Sequence, residues 1–230
     1  MWGLASCILV LLVAIVCIRI YYILPGSKTT DRTRAINHDR KKIAIFLGSG
    51  GHTSEMLAMT STLDFNKYSP RVYILSEGDT LSRRKAITLE ATKAAKYGSV
   101  SKNTNAYTFL VIPRARKVHQ SLLTTPYTAL LSLMHCFYHV TIAPCFHGSP
   151  FADVLVLNGP GTCLVLCLAV YLNKFLGLSS PRTIYVESFA RVQTLSLSGK
   201  LLRPLVDRYI VQWPELLRDG KRGECRGWLI

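Results

Sequence analysis

Three short stretches of this chain combine residue types suited to an anionic ligand and a proton. They are Gly48-Ser49-Gly50-Gly51-His52-Thr53, Asn158-Gly159-Pro160-Gly161-Thr162 and Glu187-Ser188. Glycines allow close backbone approach to a phosphate and let successive N–H groups point into one concavity. That makes Gly48, Ser49, Gly50, Gly51 and Thr53, with Asn158, Gly159, Gly161 and Thr162, candidate anion-binding positions. His52 can act as a general base, as a hydrogen-bond donor to a phosphate, or simply as a residue of a helix start. Glu187 can accept a proton from a hydroxyl, bind sugar hydroxyls, or pair with a base such as Arg191. The first loop lacks the third glycine of the Gly-x-Gly-x-x-Gly dinucleotide fingerprint. It also lacks the Gly-Lys-Ser/Thr of a Walker A loop, so both common nucleotide readings lose weight.

Short apolar runs and helical segments alternate around these stretches. Strands are expected at 43–47, 71–75, 106–112, 153–158, 183–186 and 209–211, and helices at 54–63, 81–95, 125–146, 163–178 and 198–205. Such alternation predicts an α/β fold with a doubly wound, mostly parallel Rossmann-like sheet. In that fold the strands' carboxyl ends share one edge, so the three stretches converge there. Two glycine loops, each before a helix, suit a ligand with two phosphates. Arg114, Arg116, Lys117 and His119 follow the third strand and form either a solvated basic surface or a phosphate or headgroup contact. Lys200 is a further headgroup candidate. His135 and His139 stand one helical turn apart, but no third ligand has a telling spacing, so core or membrane-facing histidines are expected.

The 230-residue chain has a net charge of +15, a mean hydropathy of +0.24 and a hydrophobic fraction of 49%. An anionic partner follows from the charge, yet no zinc-finger, basic-zipper or RNP-like pattern supports a nucleic acid. Residues 1–24 read as one uncleaved transmembrane anchor. Basic residues follow it and none precedes it, so the body is expected on the cytosolic side. Residues 25–41 read as a basic linker, 42–217 as the folded domain and 218–230 as a basic tail ending in Trp228-Leu229-Ile230. The helices 125–146 and 163–178 are expected to pack in the core or rest on a bilayer. Seven cysteines without a Cys-x-x-Cys fit a reducing compartment better than a disulfide framework.

Four motifs in this order behind a single N-terminal span carry a family resemblance: GSGGHTSEML, NGPGT, YVESFARVQTLSLSGK and YIVQWPE. The chain closely resembles the membrane-anchoring subunits of the dolichol-linked UDP-N-acetylglucosamine transferase. That family is similar to the acceptor half of the bacterial GT-B glycosyltransferase that makes lipid II. The resemblance implies an endoplasmic reticulum membrane protein, single-pass, and a place in the nuclear envelope that continues it. It implies a separate soluble UDP-GlcNAc-binding subunit as partner and dolichyl-diphosphate-GlcNAc as acceptor. It also implies inversion, no cofactor and no metal, and little activity from this chain alone. His52 and Glu187 fall on the positions it marks as catalytic, the two glycine loops on the acceptor diphosphate site, and Trp228, Leu229 and Ile230 on a partner-docking tail. A scaffold without chemical residues and a membrane-tethered oxidoreductase are the competing readings.

Overall fold

Ile43–Leu47 (β1) is buried at all five residues and alternates its side chains between two separate cores. Ala44 and Phe46 face one core, while Ile43, Ile45 and Leu47 face the other, as a central strand covered on both sides requires. The computed structural model describes residues 2–25, 40–96, 106–116, 120–121 and 123–229. Most of the expected linker, Lys117, His119 and Ile230 therefore lie outside the described residues.

Six further strands follow: β2 (Arg71–Ser76), β3 (Tyr107–Ile112), β4 (Val154–Leu157), β5 (Arg182–Val186), β6 (Arg208–Val211) and β7 (Glu224–Cys225). They form one sheet in the order β3-β2-β1-β4-β5-β6-β7, and every neighbouring pair is parallel. The chain winds outward from β1 to β3 in one direction and from β4 to β7 in the other. Its switch point therefore lies between β1 and β4, where open α/β sheets form a crevice beyond the strand ends.

On one face, α2 (Gly51–Ser61) and α3 (Thr80–Lys96) place Met56, Leu57 and Ala86 against Ile45, Leu47 and Tyr73. A buried ion pair fixes α3 to β2. Arg71 donates to both Glu90 oxygens at 2.6 and 2.8 Å, and the Tyr73 hydroxyl adds a third bond to Glu90 at 2.8 Å. Arg71 also lies over the Phe65 ring, 4.1 Å from its centroid. The opposite face is covered by α4 (Thr125–Phe137), α6 (Thr162–Leu176) and α7 (Leu197–Leu202), which contribute Cys136, Cys163, Leu166, Cys167, Val170 and Leu202 to the larger core. Burial raises the Cys163 thiol pKa and pushes that of Cys167 up to about 12, so both stay protonated and pack as small apolar groups.

The helix expected over 125–146 is interrupted. After α4 the chain makes a π-helical turn over Tyr138–Ile142 and continues as α5 (Ala143–His147). Pro144, which has no N–H to give to the ladder, stands just after that turn. The imidazoles of His135 and His139 lie 5.8 Å apart between centroids. Among the described residues, no group of three or more His, Cys, Asp or Glu is placed to hold a metal ion. The outer face of α4 leaves Tyr127, Leu130 and Met134 exposed. By contrast α6 is a core helix with eight buried residues.

Helix α1 (Trp2–Ile23) is long and apolar enough to cross a membrane, and no residue of Ser6–Ile23 is buried. It touches the body where Arg19 donates to the carbonyls of Lys174 and Phe175 at 3.0 and 3.1 Å. Those carbonyls lie in the last turn of α6, so the guanidinium adds a cation at a helix C-terminus, beside the Gly177 N–H that already donates to the Lys174 carbonyl at 3.2 Å.

The tail is part of the sheet. Beyond residue 217, β7 adds to the β6 edge, and the Arg208 guanidinium holds Glu224 at 2.6 and 3.0 Å. Arg203, nearly buried, grips Asp219 through two bonds of 2.6 and 2.9 Å. Trp228 then leans on Trp213 and Phe189 with ring centroids 5.6 and 5.8 Å away, and the Leu229 N–H donates to Gln212 Oε1. Trp228 nonetheless keeps 69% of its surface exposed.

Candidate functional site

The loops after β1 and β4 touch at the switch point. A Cβ at Gly48 would lie 2.8 Å from the Asn158 carbonyl oxygen, so only glycine lets these loops come together. Ser49 and Gly50 then take positive φ values of 52° and 59°, which turn the chain into α2. The helix begins at Gly51, earlier than the expected Ser54, and no side chain caps it. His52 and Thr53 thus belong to the first turn, whose N–H groups and dipole favour an anion. Likewise no side chain caps α6, which starts at Thr162 after Gly161.

His52 is clasped between the loops. Its ring lies against Gly159, whose φ is 115°, and a Cβ there would come within 3.0 Å of His52 Cγ. His52 Nδ1 is 2.8 Å from Asn158 Oδ1. Asn158 Nδ2 donates to Glu55 Oε2 at 3.0 Å, and Glu55 also accepts from Ser188 Oγ at 2.8 Å and the Phe189 N–H at 3.2 Å. One carboxylate on α2 therefore ties the loops after β4 and β5 to the helix that carries His52.

Several expected ligand contacts have other places. Asn158 is fully buried, and its amide is used between His52 and Glu55, so its contribution to a phosphate site is limited to backbone. Thr53 is buried, with its hydroxyl 2.6 Å from Ser82 Oγ, which in turn donates to Asp79 at the start of α3. Thr162 Oγ1 accepts from the Ala115 N–H at 3.4 Å. That bond seats the backbone of the loop after β3 on the start of α6. Arg116 also reaches back to the Gln120 carbonyl at 3.1 Å. Lys200 is exposed on α7. Ser49, Gly50 and Gly161 in the loops and Gly51 at the start of α2 remain accessible, whereas Gly48 and Gly159 are buried where the two loops meet.

Glu187, expected as a proton acceptor in the crevice, is 1% exposed. Its carboxylate accepts from the Ser196 N–H and Oγ at 3.2 and 3.1 Å, from the Tyr209 hydroxyl at 3.0 Å and from the Ser188 N–H at 3.2 Å. Burial and the adjacent Glu187 raise the Tyr209 pKa, which keeps that hydroxyl a donor. A Cβ at Gly199 would lie 2.0 Å from Glu187 Oε2, which shows how closely α7 is drawn over the carboxylate. A buried carboxylate with this many donors holds the 188–196 loop, since each donor left unpaired costs about 1–3 kcal/mol. Glu55 is the carboxylate that the structure joins to His52. In the sequence it reads only as an acidic residue suited to a helix start. Lys85, on α3, carries no motif in the sequence, and its ammonium donates to Ser54 Oγ at 2.9 Å, at the first turn of α2.

A wholly parallel seven-stranded sheet with its switch point between β1 and β4, helices on both faces and glycine loops at the starts of α2 and α6 define a Rossmann-like domain. The solved structure of Acinetobacter baumannii MurG has the same fold. It matches with a TM-score of 0.51 at 12% identity, over 82% of this chain and 46% of that one, so this chain spans under half of the MurG length. Residues 43–229 match the family described as "Oligosaccharide biosynthesis protein Alg14 like". The relative named UDP-N-acetylglucosamine transferase subunit ALG14 in Cryptococcus neoformans is 45% identical over 206 residues, covering 89% of this chain and 87% of its own. The Schizosaccharomyces pombe subunit of that name is 46% identical over 188 residues, covering 82% and 83%. The Mus musculus one is 39% identical over 190 residues, covering 82% and 83%. The chain belongs to the Alg14 family.

Proposed function

We propose that this chain is the membrane-anchoring, acceptor-binding subunit of a two-subunit N-acetylglucosaminyltransferase. The acceptor is dolichyl-diphosphate-GlcNAc and the donor is UDP-GlcNAc, bound by a separate soluble subunit that this chain recruits to the cytosolic face of the endoplasmic reticulum. The observation that carries this reading is His52 clasped between two glycine loops at the starts of α2 and α6, with the Arg114–Arg116 loop bonded to Thr162 beside them. The names of the relatives support the transferase, and an apolar helix docked on α6 through Arg19 supports the anchor.

In this reading the backbone of residues 48–51 and 159–161 holds the acceptor diphosphate, with Arg114, Arg116 and Lys200 at its rim. Electrostatic attraction to helix starts and cations concentrates a dianionic headgroup there. His52 faces the sugar and takes the proton of the attacking hydroxyl. As that oxygen bonds to the anomeric carbon of GlcNAc, the carbon's bond to UDP breaks and UDP leaves with the electron pair. Attack opposite the leaving group inverts the anomeric centre. Glu187 supports this chemistry by holding the loop after β5, and the exposed Trp228 with Leu229 offers the docking surface for the donor-binding subunit.

The testing experiment is transfer of label from UDP-GlcNAc to a dolichyl-diphosphate-GlcNAc analogue, with each subunit separately and with both. The expected result is chitobiose lipid only when both are present. Full transfer by this chain alone, or by the soluble subunit alone in detergent, would contradict the division of labour.

A further inference from the structure

The hydrogen bonds around His52 contain a direction that neither the glycine loops nor the family membership supplies. An ionised carboxylate has only acceptor sites. Glu55 receives three donors: Ser188 Oγ, the Phe189 N–H and Asn158 Nδ2. If the Asn158 amide were turned over, its oxygen would stand about where Nδ2 is, 3.0 Å from Glu55 Oε2, and two acceptors would face each other in a site where Asn158 is fully buried. Glu55 thus settles which end of the amide is oxygen, an assignment that otherwise depends on its neighbours. Asn158 Oδ1 consequently points at His52, and an oxygen acceptor 2.8 Å from Nδ1 requires Nδ1 to carry the hydrogen. In neutral imidazole the lone pair is then on Nε2.

We infer that Glu55 is a positioning residue that acts through Asn158 to hold His52 as the Nδ1–H tautomer, with the Nε2 lone pair available to a substrate hydroxyl. The inference rests on the proposed role of His52 as the base. The Asn158 oxygen stays in place as Nε2 gains a proton, so it also accepts from the imidazolium that forms. Glu55 binds Ser188 and Phe189 as well, so the carboxylate that orients the amide is itself held by the loop after β5. Glu55→Gln preserves the arrangement on paper: a side-chain oxygen can remain toward Asn158 and Phe189 while the amide NH2 faces Ser188 Oγ. Glu55→Lys reverses it, because a donor at that place turns the Asn158 oxygen away from His52.

The test is ring nitrogen NMR of the full chain, labelled with 15N-histidine, in detergent micelles with the donor-binding subunit present. Spectra are taken about 2 pH units above the ordinary imidazole range so that the rings are neutral, and His52→Gln identifies the His52 signals. The expected wild-type spectrum has a protonated-type Nδ1 and a lone-pair-type Nε2 for His52, retained in Glu55→Gln and exchanged in Glu55→Lys. Glu55→Ala should mix the two forms and lower kcat by on the order of 10- to 100-fold, with KM for UDP-GlcNAc unchanged. A wild-type His52 protonated at Nε2 overturns the inference whether or not any variant folds. The same wild-type pattern persisting in Glu55→Lys and Glu55→Ala overturns it too. Full transferase activity of His52→Ala would instead defeat the base assignment, and it would do so independently of the spectra.

Discussion

Replacing His52 with alanine should lower the turnover of the assembled two-subunit enzyme by about 10²- to 10⁴-fold, the range that a positioned general base contributes. That corresponds to roughly 3–5 kcal/mol of transition-state stabilisation. The loss should fall on kcat, with little change in KM for UDP-GlcNAc, since the nucleotide is held by the other subunit. His52 is partly buried and bonds the fully buried Asn158 Oδ1, so its removal should cost about 1–3 kcal/mol of stability and lower the thermal midpoint by several degrees while the protein stays folded at assay temperature. The backbone of the first turn of α2 remains, so acceptor binding should persist. Steady-state rates at saturating donor and acceptor, read beside a thermal unfolding curve, check both parts. Turnover within threefold of wild type would remove His52 from the chemistry and favour a scaffold.

The second large effect is expected from a methyl group. Gly159→Ala places a Cβ 3.0 Å from His52 Cγ, 3.2 Å from Cδ2 and 3.3 Å from Cβ, at a φ of 115° that L side chains rarely adopt. Either the loop after β4 shifts or the imidazole does. A displacement near 1 Å at a reacting group is worth on the order of 100-fold in rate, and that is the loss expected in kcat. The backbone strain adds about 1–3 kcal/mol against the native state, so the thermal midpoint should fall by several degrees as well. Unchanged turnover in Gly159→Ala would show that close packing of His52 against this loop has no consequence for catalysis.

Much of the scaffold was legible because the sheet is buried on both faces. The runs IAIFL, RVYIL and DVLVL are nearly all apolar, and strand and helix segments alternate without a break, so six strands were expected within a residue or two of where they lie. The seventh was not. Glu224–Cys225 is two residues long, and its pairing is set by the β6 edge and by Arg208 rather than by any pattern of its own. Glycine loops revealed the crevice for a related reason: close backbone approach demands a residue type. The division of labour between the carboxylates is not readable in the sequence, because Glu187 just after β5 and Glu55 early in α2 are both single acidic residues beside a candidate loop. Only three-dimensional neighbours show that Ser196 and Tyr209 occupy Glu187 while Asn158 and Ser188 occupy Glu55. In the same way, Thr53, Asn158 and Thr162 matched an anion site by type, but their side chains bind Ser82, Glu55 and Ala115. Glycine dominates both loops because Gly48 must approach the Asn158 carbonyl and Gly159 the His52 ring.

In the proposed function a lipid-linked diphosphate sugar sits between these two loops. Photocrosslinking tests it most directly, with a short-chain dolichyl-diphosphate-GlcNAc analogue that carries a photoreactive group on the sugar, applied to the two-subunit complex. Adducts should map to the peptides holding residues 48–55 and 158–162, and they should disappear when unlabelled acceptor is in excess. Competable adducts confined to the donor-binding subunit, or to a part of this chain remote from the β1 and β4 ends, would contradict it.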